Sequence, residues 1–424
     1  MADNSSLGSA RKAKNDEFYT QYSDIEAEMN AYVEYDPDVF RGKTILLPCD
    51  DPEWSNFTKY FAANFERFGL KKLISTSYAK GAGNQQMTLF ELESPLFDES
   101  KHETHGKLFT LTRDKNGSGS IDTDDIEFSG YLEGDGDFRS AEVTALRDEA
   151  DIIITNPPFS LFREFLAWIM ASKKQFVIIG NQNAITYKEV FPLLKSNEIW
   201  LGAPFPSGNA YFDVPADANT SAYASGVFDP VTRRLHFRNC RWFTNIDFGG
   251  RHEELQLMTM RENLKFNKRL RKKLEKDYGK VEYPHYDNYD AIEVPFTECI
   301  PSDYDGVMGV PITFMDKYNP DQFEIVAFRK GDDGKDLVFT REREFNRTFA
   351  SLYDVDSRDD KERRRKDKWA SYLRKNNNHP QKTPVEVIFP LATNLQNGLI
   401  NDCTIGGKKT YVRMMMIRKQ KGGN

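Results

Sequence analysis

Between residues 43 and about 202 the apolar positions alternate between two rhythms. Short runs with apolar stretches at 43–49, 73–77, 151–155, 176–180 and 199–202 read as strands of a mainly parallel sheet, the apolar run after Asp151 as one buried on both faces. Between them the spacing turns helical, with Phe57, Tyr60, Phe61, Phe65 and Phe68 closed by Gly69 as a C-cap, then Phe162, Phe165, Leu166 and Ile169. A further helix is predicted to start near Ser23-Asp24, where either residue can supply an N-cap. This strand–helix–strand order predicts βαβ units and an α/β fold with a mainly parallel sheet.

The rhythm is broken twice. Residues 79–133 are rich in Gly, Asn and acids and read as an insertion, and beyond 203 aromatic and basic residues mix irregularly. Residues 1–14 form a polar tail with Arg11, Lys12 and Lys14 that predicts disorder. Residues 331–394 carry dense mixed charge, including Arg363-Arg364-Arg365, and read as a charged insertion before a closing strand at 410–418.

At 424 residues and 39% hydrophobic content the chain can bury one large domain plus a second region. No apolar run is long enough to span a bilayer, and the N-terminus lacks a signal-peptide core, so a cytoplasmic protein without membrane contact is expected. Cys49, Cys240, Cys299 and Cys403 are isolated and suggest neither a zinc site nor a disulfide framework. The net charge of −7 is unevenly placed. Acids dominate 91–137, whereas 261–280 and 361–368 are basic. Arg233, Arg234, Arg241, Lys268, Arg269 and Arg271, interleaved with aromatics, suit a surface that reaches phosphates and packs on bases. They equally suit solvated helix faces around an aromatic core.

The sharpest chemical signal is Asn156-Pro157-Pro158-Phe159. Pro157 lacks an N–H and biases Asn156 away from helical geometry, so the strand must end there. That directs Asn156 past the carboxyl end of the sheet, the edge at which open α/β sheets bind ligands. Asp50 and Asp51 follow the first strand, where a carboxylate can bond a ribose hydroxyl or an ammonium group. Phe18, Tyr19 and Thr20 precede it as a candidate clamp. Asp137-Phe138 can meet an adenine ring, the carboxylate accepting from its amine and the phenyl packing on its face. Within the insertion, Asp114, Asn116, Ser118, Asp122 and Asp125 match a Ca²⁺-loop spacing with Gly119 at the sixth position. The twelfth position is Asp, not Glu, and the flanks read as strands, which favours a hairpin turn over the calcium reading.

Several blocks resemble the EcoRI-type adenine-specific DNA methyltransferases. They include Asp16-Glu17-Phe18-Tyr19-Thr20-Gln21-Tyr22, Cys49-Asp50-Asp51-Pro52, Ser55-Asn56-Phe57 and Gly136-Asp137-Phe138-Arg139-Ser140. Thr155-Asn156-Pro157-Pro158-Phe159-Ser160, Asn183-Ala184-Ile185-Thr186-Tyr187-Lys188-Glu189 and Gly306-Val307-Met308-Gly309-Val310-Pro311 continue the series in one order. The order, with clamp, cofactor strand, catalytic motif and recognition region last, is that of the family's gamma class.

The resemblance implies a Rossmann-like catalytic domain over 15–205 and a target-recognition region over 206–424. It also implies S-adenosylmethionine held by Phe18, Tyr19, Thr20, Asp50, Asp51, Asp137 and Phe138. N6 methylation of a flipped-out adenine in double-stranded DNA by Asn156, Pro157, Pro158 and Phe159 is the implied activity, with Tyr187 as a second wall for the base. A companion restriction endonuclease is a further implied partner. Two departures stand out: Asp50-Asp51-Pro52 replaces the Gly-rich turn usual after the first strand, and Ser75, Thr76 and Ser77 replace the acid that usually closes the second. Two alternatives stay open: a glutamine side chain or RNA adenine as acceptor, and a DNA-binding module that has lost catalysis.

Overall fold

The computed structural model describes residues 19–48, 50–52, 55–79, 89–206, 208–214, 227–286, 291–328, 404–405, 408–409 and 414–420. Two compact units result, Met1–Glu253 and Glu254–Asn424. The expected tail at 1–14 and charged insertion at 331–394 lie outside the described residues.

In the first unit β1 (Tyr19–Thr20) leads into α1 (Tyr22–Tyr35), then β2 (Thr44–Leu47), α2 (Asn56–Ala63) and β3 (Lys72–Thr76). β4 (Lys107–Leu111) and β5 (Glu127–Tyr131) follow, then α3 (Ala141–Glu149), β6 (Ile152–Thr155), α4 (Phe162–Met170) and β7 (Gln175–Asn181). The unit ends with β8 (Trp200–Leu201), β9 (Ala210–Asp213), β10 (Phe228–Asp229), β11 (Arg234–Phe237) and β12 (Cys240–Thr244). Eight strands form one sheet in the order β5-β4-β3-β2-β6-β7-β12-β8, and β1-β9-β11-β10 form a second.

The fold is mixed α/β, and the expectation of a mainly parallel sheet holds only at its centre. β3, β2, β6 and β7 pair in parallel, while β4, β5, β12 and β8 join antiparallel on either side. The cause is the connections. Helices separate the parallel strands, but 79–133 supplies a hairpin, and a hairpin can only add antiparallel strands. The two compact units divide at 253/254. β12 pairs with β7 from Cys240↔Asn181 to Thr244↔Val177, which ties the segment after 206 to the main sheet.

The sheet is buried on both faces, as its apolar runs require. Ile45, Leu47, Ile152, Ile154, Val177 and Ile179 share one core cluster with Phe57, Tyr60, Phe61, Phe65 and Phe68. The intervening Leu46, Ile153 and Ile178 are equally buried and, by strand alternation, face the other way. Gly69 closes the aromatic helical segment at φ 61°, the left-handed C-cap expected. α1 differs at its start: Gln21 occupies the cap position without capping, and its amide donates to Asp213 instead, at 2.7 Å.

In the second unit β13 (Ala291–Glu293), β14 (Val307–Pro311), β15 (Phe323–Phe328) and a closing strand (Met414–Lys419) form a four-stranded sheet. The closing strand lies between β14 and β15, antiparallel to both. α5 (Met260–Phe266) and α6 (Lys268–Tyr278) precede this sheet.

Candidate active site

Three neighbouring parallel strands, β2, β6 and β7, end on one edge, and the segments carrying Asp50, Asn156 and Tyr187 follow them there. β6 runs Ile152-Ile153-Ile154-Thr155, all buried, then stops at Asn156 and Pro157. Phe159 opens a single 3₁₀ turn, and α4 begins directly after it. The start of α4 is pressed close to β7 because Gly180 leaves room: a Cβ there would overlap the Phe162 ring. Phe159 meets the edges of Phe212 and Phe237, with ring centroids 6.3 and 6.1 Å away.

Those two rings belong to the small sheet, which also carries the clamp segment. Tyr19 and Thr20 pair with Asp213 and Phe212 of β9. Asn56, the first residue of α2, donates its amide to the Thr20 carbonyl at 2.7 Å. Thr20 is buried, and its hydroxyl has no hydrogen-bond partner among the described residues. Phe18 lies outside the described residues.

At the tip of β2 the turn that replaces a Gly-rich loop is built from hydroxyl groups. Asp50 is buried, and its two carboxylate oxygens accept from Ser55 Oγ at 2.7 Å and Thr155 Oγ1 at 2.6 Å. Its amide donates to the Thr76 carbonyl at 2.7 Å, and its own carbonyl accepts from Thr58 and Ser75. Asp51 beside it is half-buried. Of the residues at 75–77, which stand where an acid was expected, Ser75 serves this turn through its hydroxyl and Thr76 through its carbonyl, while the Ser77 hydroxyl accepts from the Lys107 amide.

Asp137-Phe138 lies between β5 and α3. Arg139 bonds the Asp137 carboxylate at 2.6 Å and holds it below the usual carboxylate range. The Phe138 ring is 3% exposed, enclosed by Phe165 at 4.9 Å and Trp168 at 5.6 Å. Tyr187 follows the 3₁₀ segment at the tip of β7, half-buried, with the Arg163 guanidinium 5.5 Å from its ring centroid.

The basic candidates divide between the units. Arg241 lies at the start of β12 opposite Gly180, on the edge that carries Asn156. Arg233 and Arg234 are exposed at the turn into β11, and Arg234 pairs with Asp213 at 3.0 Å. Lys268, Arg269 and Arg271 are exposed on α6 in the second unit. Arg269 pairs with Glu298 at 3.2 Å and covers the Phe296 ring at 3.9 Å.

The calcium reading of 114–125 is replaced by that of a turn. Asp114 accepts from the amides of Gly117, Ser118 and Gly119, and Asp125 from those of Lys115, Asn116 and Asp122. Asn116 and Asp122 accept further loop amides from Ser118 and Asp124, and the Ser118 hydroxyl donates to the Ser120 carbonyl. These side-chain-to-backbone bonds are those of an Asx-type turn. Among the described residues no group of three or more His, Cys, Asp or Glu is placed to hold a metal ion.

Sequence reasoning missed Thr155, Ser55 and Asn56 as parts of this edge. The only signal was their place inside the quoted blocks, and which carboxylate or carbonyl they reach is decided by strand adjacency.

The model of the family described as "Adenine-specific methyltransferase EcoRI" matches residues 6–419. The chain belongs to this family of adenine-specific methyltransferases. Among its relatives, the Type II methyltransferase M.EcoRI of Escherichia coli is 44% identical over 337 residues, 79% of this chain and 93% of the relative. The Type II methyltransferase M.MpnI of Mycoplasma pneumoniae is 32% identical over 320 residues, 75% of this chain and 83% of the relative. M.MgeORF184P of Mycoplasma genitalium, another Type II methyltransferase, is 32% identical over 326 residues. No solved structure matches. Membership of this family makes the chain an enzyme of methyl transfer, a chemistry for which S-adenosylmethionine is the general donor. No helix among the described residues is long and apolar enough to cross a membrane.

Proposed function

We propose that this chain transfers a methyl group from S-adenosylmethionine to N6 of an adenine flipped out of duplex DNA at a specific site. The observation that carries the reading is Asn156-Pro157-Pro158-Phe159 at the carboxyl end of β6, between the Asp50 turn and the Tyr187 segment. Family membership and the Type II methyltransferase names of the relatives support DNA as the acceptor over a glutamine side chain or RNA. The central parallel strands with their crossing helices support a Rossmann-like methyltransferase fold. A cytoplasmic location and a companion restriction endonuclease belong to the same proposal.

The exocyclic amine of adenine is a poor nucleophile because its lone pair is delocalised into the ring. The Asn156 side-chain oxygen and the Pro157 carbonyl would accept its two protons and favour a pyramidal nitrogen, with the lone pair directed at the methyl. Catalysis is then positioning and electrostatics, with no strong base required. Phe159, braced by Phe212 and Phe237, would stack on the base, and Tyr187 would form the opposite wall. The donor supplies an activated methyl on sulfur. Thr20, with its buried hydroxyl, would meet the donor's polar end, with Tyr19 and Asp51 as further contacts. Flipping the base costs a few kcal/mol, which Arg233, Arg234, Arg241, Lys268, Arg269 and Arg271 would offset through phosphate contacts.

Labelled methyl transfer to adenine-containing duplex DNA, followed by digestion to nucleosides, tests the reading. Asn156→Ala is expected to lower kcat by about 100-fold or more. Wild-type turnover in that variant would remove the assignment.

A further inference from the structure

We propose that Asp50 and Thr155 act as positioning residues for Asn156, so that the tip of β2 sets the geometry of the Asn-Pro-Pro-Phe turn. The inference rests on the catalytic reading of Asn156 and gives Asp50 a role other than contact with the methyl donor.

After Asn156, the turn following β6 begins with two residues that cannot donate a backbone hydrogen bond, since Pro157 and Pro158 have no N–H. The last ladder pair of β6 with β7 is Thr155↔Ile178, and with β2 it is Ile153↔Leu46. Beyond these pairs, the Thr155 side chain supplies a lateral tie at the last residue before Asn156. Its hydroxyl lies 2.6 Å from Asp50 Oδ2 and 2.9 Å from the Pro48 carbonyl, both on the extension of β2. Both partners are buried, so water competes weakly for this bond.

Asp50 is itself held at every polar atom that could let it drift. Its amide is bound by Thr76, its carbonyl by Thr58 and Ser75, and its second carboxylate oxygen by Ser55. Ser55 is also the N-cap of α2, accepting from the Phe57 amide at 3.1 Å, and the next residue, Asn56, holds the Thr20 carbonyl. One polar chain therefore links the clamp strand, the α2 N-terminus, the β2 tip and the residue before Asn156. In a Gly-rich turn the backbone approaches its ligand directly. Here the turn carries side chains, and its central carboxylate is directed at the neighbouring strand.

The test uses the full chain with Thr155→Val, which removes the hydroxyl and keeps the shape, Thr155→Ser, which keeps the hydroxyl, and Asp50→Asn. Steady-state methylation of duplex DNA gives kcat, calorimetry with S-adenosylmethionine alone gives the donor Kd, and amide hydrogen exchange at 156–161 reads the turn without turnover. Thr155→Val is expected to lower kcat about 10- to 100-fold with donor Kd within about threefold, and to speed exchange at 159–161. Thr155→Ser is expected to recover kcat to within about threefold of wild type. Full kcat and unchanged exchange in Thr155→Val would overturn the proposal, as would loss of donor affinity in step with kcat in Asp50→Asn. If Thr155→Val does not fold, Thr155→Ser and Asp50→Asn decide on the same readings. A wild-type chain that binds donor but leaves duplex DNA unmethylated counts against the proposed function, while the exchange comparison still judges the positioning role.

Discussion

Two carboxyl groups on α1, Asp24 and Glu28, are buried, and among the described residues no cation stands beside them. Burial raises Glu28 from 4.5 to about 8 and Asp24 from 3.8 to about 6, against hydrogen bonds from Tyr32 and the Ala203 amide, and from the Tyr211 amide, respectively. Both helix positions face the segment 202–211, and a Cβ at Gly202 would run into the Glu28 carboxyl. The folded state holds these protons more tightly than the unfolded chain does. Their contribution to stability is therefore complete below the unfolded values and is lost as pH rises through the folded ones. Stability is expected to fall between about pH 4.5 and 8, by on the order of 1 kcal/mol per pH unit at most from Glu28. Glu28→Gln, which keeps an acceptor for Tyr32 and Ala203, should flatten that slope in urea titrations at pH 5.5, 7 and 8.5. An unchanged slope would show that the carboxyl is charged throughout.

At the scale of elements, a two-residue strand is held by side-chain ties. β1 contributes only Tyr19 and Thr20 to its sheet, too few backbone bonds to hold an edge strand on their own. Asn56 fixes it to α2, Gln21 fixes it to β9, and Asp24 and Glu28 fix the following helix to the backbone of 203–211. Asn56→Ala removes one hydrogen bond of about 1 kcal/mol. Because the clamp is proposed to close on the donor, that variant should weaken S-adenosylmethionine binding about fivefold in calorimetry while leaving the melting midpoint nearly unchanged. A large drop in melting with unaltered donor affinity would make Asn56 a purely structural cap. The aromatic stripe of α2 behaves in the opposite way. Phe61 lies at 0% exposure among Phe40, Tyr60 and Phe68, and Phe61→Ala is expected to cost about 3–5 kcal/mol of unfolding free energy in denaturant titration.

For the whole molecule, a net charge of −7 and a polyanionic substrate are reconciled by local charge. α6 buries Leu270 and Leu274 and exposes Lys268, Arg271, Lys272, Lys273 and Lys276 on its remaining surface. Each cation that meets a phosphate releases about one counterion, so affinity depends steeply on salt. Lys268→Ala and Arg271→Ala are each expected to reduce the slope of log K against log salt by about 1 and to weaken binding uniformly across DNA sequences. Filter binding from low to moderate salt checks this. A slope equal to that of wild type would mark α6 as a solvated helix face.

The sequence alone determined the buried strands, the aromatic helical stripe with its Gly69 cap and the stop at Asn156-Pro157. These follow from local rules: side-chain periodicity, a missing amide and a left-handed cap each act within a few residues. The ordered blocks were also enough to indicate the family. Tertiary structure decided which strand β12 joins, and so where the first unit ends, because antiparallel pairing between distant segments leaves no periodic mark. It also decided what each polar side chain meets. Asp114 and Asp125 matched a cation template in spacing, yet their oxygens turn toward loop amides. Phe138 was expected at a ligand's face and is enclosed by Phe165 and Trp168. Asp50 and Thr155 are 105 positions apart in the chain and 2.6 Å apart in the fold. Their contact exists because β2 and β6 are neighbours, and adjacency of that kind is a property of the assembled sheet.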